Sequence, residues 1–173
     1  MRPSIEEILK GIKFTLKEVI VPDLRSPWPQ WMAEQIDYFI DHLIIRYQEE
    51  PQMLMDENRE LREILSEADR VFRAVGIDRN DASLVRLADE INEQLKAQPH
   101  EEVGYNPVPF MQEENNILKS KVCESIKAME RAKEEGKIPS LNTVRVKIRD
   151  YIKRQVKREG PFMHSLFGVK RDT

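Results

Sequence analysis

Three histidines, one cysteine and 31 carboxylates are the groups in this 173-residue chain that could hold a metal or move a proton. Their spacing argues against both. The di-iron site of a helical bundle needs Glu-x-x-His twice. The residues three before His42, His100 and His164 are Phe39, Ala97 and Pro161. No His-Glu-x-x-His occurs, and three scattered histidines make no conventional metal cluster. The single Cys123 excludes an internal disulfide and a cysteine-based zinc site. It falls beside an inward position of a predicted helix, far in sequence from any histidine, and reads as a structural thiol. His42, next to Asp41 at the edge of an apolar stripe, reads as a half-buried and satisfied histidine. His100, followed by Glu101 and Glu102, reads as solvated. The carboxylates lie in runs such as Glu49-Glu50 and Glu134-Glu135, which belong to surfaces. With six glycines the chain forms no Gly-x-Gly-x-x-Gly, no Walker motif and no Gly-x-Ser-x-Gly. The expectation is a protein that is not an enzyme, with no catalytic residue, cofactor or metal.

One polar pattern does repeat. Glu57-Asn58-x-x-Leu61-Arg62 returns as Glu114-Asn115-x-x-Leu118-Lys119. Each copy sits in a run whose inward positions step alternately by four and three, the spacing of a heptad seam. The first seam is Leu54, Asn58, Leu61, Leu65, Ala68, Phe72 and Val75. The second is Met111, Asn115, Leu118, Val122, Ser125, Met129 and Ala132. Asparagine takes the second place in both. A buried amide left unpaired costs roughly 1–3 kcal/mol, so each needs a partner. Three arrangements supply one: a direct Asn58–Asn115 contact that sets register, a bond from each to a loop backbone or to a neighbouring turn that it caps, or a ligand pocket that they line.

The elements that must position this polar seam are helical. Ser4 with Glu7 spells a capping box, and Ile5 to Ile20 carries an apolar stripe that stops at Pro22. Ser26-Pro27 opens a second helix, the central one of the predicted bundle, with the widest stripe of all: Trp28, Met32, Ile36, Phe39, Ile40, Leu43, Ile44 and Tyr47. Pro51 breaks or kinks it. A third helix runs from about Gln52 to Val75, with Gly76 as its cap. A fourth, with Leu84, Leu87, Ala88, Ile91 and Leu95 inward, ends before Pro99. A loop over 99–109 leads to a fifth helix, from about Phe110 to Glu135, capped by Gly136. Ser140 starts a sixth, with Leu141, Val144, Ile148, Tyr151, Ile152 and Val156 inward, which Gly160-Pro161 stops. Two reversals through the fourth helix would make the third and fifth a parallel pair. The predicted fold is all-α: one bundle of about six helices over 1–160, and an apolar-basic tail over 161–173.

Charge is lopsided. Residues 145–173 hold nine Lys/Arg and three acids, net +6, which leaves −9 elsewhere in a chain of total −3. A basic helix over 145–158 is the footprint of a nucleic-acid reader. A chain of pI 5.8 with no compact helix-turn-helix spacing speaks against that use. The alternatives for this region are a solvated face, an intramolecular contact with the negative body, or a protein-binding surface, on which Arg154, Arg158, Phe162 and Phe167 are the candidate contacts. The tail either packs on its own bundle or docks on a partner. With no export-signal core and no run of eighteen apolar residues, the expected setting is cytoplasmic, without a membrane partner. Self-association stays open.

Three stretches together resemble a known group. They are Arg2-Pro3-Ser4-Ile5-Glu6-Glu7-Ile8-Leu9, the two Glu-Asn-x-x-Leu-Arg/Lys repeats, and Tyr151-Ile152-x-x-Gln155-x-x-Arg158-Glu159. They resemble small uncharacterised bacterial helical proteins encoded beside aminoglycoside-phosphotransferase-like kinases and acyl-CoA dehydrogenases. The resemblance implies a non-catalytic accessory protein that supports such a kinase in acyl-CoA or hydroxy-acid catabolism. Two other roles stay open: a bundle that binds a small acid or acyl group at Asn58 and Asn115, and a nucleic-acid-binding protein using residues 145–158.

Overall fold

The computed structural model describes residues 2–97, 108–134 and 138–166, with side chains to residue 160. Among these residues every regular element is helical. Helix α1 spans Ile5–Thr15 and continues as a π-helical turn over Leu16–Ile20 and a 3-10 turn over Val21–Asp23. Helix α2 spans Pro27–Arg79, α3 Ala82–Lys96, α4 Val108–Glu134 and α5 Leu141–Leu166.

Among the described residues five α-helices stand where about six are expected, because the helices predicted on either side of Pro51 are one. Proline's fixed φ is a helical φ, so a helix can pass through it at the cost of a backbone hydrogen bond and a crowded turn. The same holds at Pro161, where the predicted stop lies inside α5. Most of the expected 99–109 loop and the Gly136 cap lie outside the described residues.

The local signals act where short-range chemistry decides. The Ser4 hydroxyl accepts from Glu7 N at 3.1 Å, and the Glu7 carboxylate accepts from Ser4 N at 2.7 Å. This reciprocal box starts α1. Asp81 caps α3, accepting from Ser83 N at 2.9 Å and Leu84 N at 3.2 Å. The Ser83 hydroxyl, followed by those backbone donors, holds the Asp81 carboxyl below its usual pKa.

Helix α2 does not end at Gly76. It ends at Asn80, whose φ of 55° is left-handed. Asp81 N donates to Gly76 O at 2.8 Å and Asn80 N to Ile77 O at 3.3 Å, the two bonds of a Schellman motif with Asn80 as its terminating residue. Gly76 serves another end. A Cβ there would meet Val85 Cγ2 at 2.7 Å and Val85 N at 3.0 Å. The missing side chain lets α3 begin against the last turns of α2. Asn80→Gly is expected to stabilise the protein by about 0.5–1 kcal/mol, since glycine takes this φ without steric cost. A denaturant midpoint that falls instead would contradict that account.

Two compact units divide the chain. One is residues 51–155; the other is residues 1–50 with the part of α5 after residue 155. The first holds the main core. Both heptad seams, 54 to 75 on α2 and 111 to 132 on α4, are buried at every position. Leu84, Leu87, Ala88 and Ile91 of α3 and Leu141, Val144, Ile148 and Tyr151 of α5 complete it. Ile152, expected inward, is exposed. Among the described residues of the second unit, α1 with its π-helical turn and the start of α2 bury three apolar side chains, Leu16, Ala33 and Ile40, with Leu9, Val21, Leu24 and Ile44 partly covered. A fully buried large apolar side chain contributes about 1.5–3 kcal/mol. Two such residues, Leu16 and Ile40, with the small Ala33 give this pair of helices little core of its own.

Candidate functional site

The two Glu-Asn repeats meet inside the larger unit and bond crosswise. Asn115 Nδ2 donates to Asn58 Oδ1 at 2.8 Å and to Glu57 Oε2 at 2.9 Å. Asn58 Nδ2 donates to Met111 O at 2.9 Å and to Glu114 Oε2 at 3.2 Å. Each asparagine thus binds the glutamate that precedes the other. The basic residues follow the same rule. Lys119 Nζ lies 3.0 Å from Glu57 Oε1, and Arg62 Nε donates to Glu114 Oε1 at 2.6 Å. Arg62 also reaches the carbonyls of Leu95 and Ala97, both at 3.1 Å, and so ties down the end of α3. Tyr151 of α5 donates its hydroxyl to Glu57 Oε1 at 2.7 Å.

Of the three expected arrangements, the geometry has the direct amide contact together with a backbone partner, Met111 O. Both amide hydrogens of each asparagine are spent inside the protein. Glu57 is the centre of the cluster and is 5% exposed. It is missing from the candidate residues drawn from the sequence. The signal lay in the repeat itself, where a glutamate precedes and a base follows each asparagine at fixed offsets.

The remaining candidates are scattered. Arg154 binds Glu60 through both Nε, at 2.7 Å, and Nη2. Arg158 lies one turn further along α5 and is half-buried. The side chains of Phe162 and Phe167 lie outside the described residues. His42 is buried, and its Nε2 accepts from Arg46 Nε at 3.0 Å. Burial, then the Arg46 charge, pushes its pKa down. Cys123, expected as a structural thiol, is exposed, because one step past the seam residue Val122 turns it away from the core.

The smaller unit carries the feature that has no structural use within the described residues. The wide stripe of α2 is uncovered along most of its length. Trp28 is 68% exposed, Phe39 54% and Ile36 45%, with Met32, Leu43 and Tyr47 alike. Helix α1 adds Ile5, Ile8 and Ile12. Among the described residues, 14 of the 20 exposed large apolar side chains fall within residues 5–47. A central helix would bury this stripe, and the structure does not. In the structure α1 covers only the side of α2 that carries Ala33 and Ile40.

The uncovered residues share one face. Lys13 and Lys17 of α1 close one side of the pair on Asp37 and Asp41, with Lys17 Nζ 2.8 Å from Asp37 Oδ2 and Lys13 Nζ 2.5 Å from Asp41 Oδ1. Lys13 pairs with residue 41 and Lys17 with residue 37, so the two helices run antiparallel. At about 100° per residue, Ile5, Ile8 and Ile12 lie on the flank of α1 away from Lys13. Met32, Ile36, Phe39 and Leu43 lie on the flank of α2 away from Asp37 and Asp41. In an antiparallel pair these two flanks are on the same side. The result is one apolar face, free of charge along its centre, with the stacked rings of Trp28 and Trp31 (centroids 5.1 Å apart) at the start of α2.

The chain matches no family model, no curated protein and no solved structure. Its own geometry therefore carries the functional argument. Among the described residues no helix is long and apolar enough to cross a membrane.

Proposed function

We propose that this chain is a non-catalytic protein that works by binding other protein chains. The uncovered face of α1 and α2 is the observation that carries this reading. A contiguous apolar face rimmed by charge is costly in water and marks a surface that another chain covers. Following the sequence resemblance, the supported partner is a phosphotransferase-type kinase of acyl-CoA or hydroxy-acid catabolism, in a cytoplasmic setting. The cross-bonded repeats supply the rigid part. We infer that α2 and α4 run parallel there. The ion pairs support this, since Lys119 lies five residues beyond Glu114, the counterpart of Glu57, as Arg62 lies five beyond Glu57. That is the offset of flanking charges in a parallel coiled coil whose seam holds asparagine.

Co-expression of the chain with a kinase encoded beside it tests the reading. The expected result is a complex that survives affinity capture and a kinase whose activity falls several-fold when the chain is absent. A kinase that is neither captured nor altered would sink the accessory role.

A further inference from the structure

We infer that the occupant of the apolar face is a second copy of this chain. This rests on the reading of that face as a protein-binding surface and names what covers it. The first argument is shape. Two antiparallel helices with their stripes on one side are half of a four-helix bundle. A two-fold axis through the face sets Met32, Ile36, Phe39 and Leu43 of α2, spaced four, three and four, against the same stripe of the partner copy. Such a contact is closed and uses no other surface.

The second argument is area. Ile5, Ile8, Ile12 and the exposed stripe of α2, each about half exposed, offer on the order of 800 Å², one partner's share of a standard stable interface. The third is composition. No ionised residue interrupts the stripe, and interfaces between identical subunits are the more apolar class. The fourth is supply. Among the described residues the pair of helices buries three apolar side chains of its own, so it needs a cover that is present whenever the chain is made. Another copy meets that condition at fixed stoichiometry.

Mass measurement on the purified full chain decides it. The expected mass is twice 20.4 kDa at micromolar concentration. The double substitution Ile36→Glu with Phe39→Glu is expected to give a monomer with its helix content kept. Ile117→Glu, at an exposed apolar position on α4, is expected to leave the dimer intact. A second measurement guards against misfolding of the charged variant. In a Cys123→Ser background, Phe39→Cys should cross-link to a disulfide dimer, and Phe110→Cys should not. A monomeric wild type with no Phe39→Cys cross-link would overturn the proposal. If that monomer captures the kinase and the charged variant does not, the face binds a different protein and the broader reading stands. If the charged variant captures it equally well, both readings fall.

Discussion

Asn115→Leu should lower the unfolding free energy by about 2–3 kcal/mol, and with it the melting temperature by roughly 5–10 °C. Leucine suits a heptad seam by volume, and burial alone would favour the change. The loss comes from what the amide leaves behind. Glu57 Oε2 and Asn58 Oδ1 each lose a donor less than 3 Å away, in a site too buried for water to replace it. Glu57 keeps Lys119 and Tyr151, which limits the cost. Breaking part of a buried charged network is dearer than never having built it. Asn58→Leu should be damaging for the mirrored reason, since it removes the donor to Met111 O and to Glu114. The two asparagines share one bond, so the double variant should lose about 1 kcal/mol less than the sum of the singles. Urea melts of the four proteins measure this directly. Equal or higher stability in Asn115→Leu would show that the cluster sets register at a net cost.

How much of this was legible follows from the range of each interaction. The heptad steps placed all fourteen seam residues in the core, because a sustained four-three spacing has one way to bury its apolar side. The capping box at Ser4 is complete within four residues. The cross-bonding was half legible: the asparagines stood out against an apolar seam, whereas Glu57 looked like one surface carboxylate among many. Its role needs Tyr151, which is 94 residues away. The stripe of α2 was legible as apolar and misjudged as core, since periodicity says which face avoids water and not what covers it. Gly76 was assigned a cap because glycine ends helices often. The close approach of Val85, which the sequence does not display, is what it serves.

Pro51→Ala should raise stability by about 2 kcal/mol. Proline inside a helix costs about 3 kcal/mol relative to alanine, through the lost N–H bond and the crowded preceding turn. Up to about 1 kcal/mol of that is returned by the stiffer unfolded chain that proline gives. Helix α2 runs through the residue all the same, and the boundary between the two compact units falls between Glu50 and Pro51. The weakest link of a 53-residue helix is thus set where one unit gives way to the next. There the carbonyl of Tyr47 has no amide four residues on to accept from. Local opening should concentrate in this turn, because the seam that begins at Leu54 is held by α4. Amide exchange measures it: amides flanking residue 51 should exchange faster than those between 61 and 72 in the wild type, and Pro51→Ala should slow them by at least tenfold. Equal protection on both sides of the substitution would mean that packing within each unit, rather than the proline, governs how α2 opens.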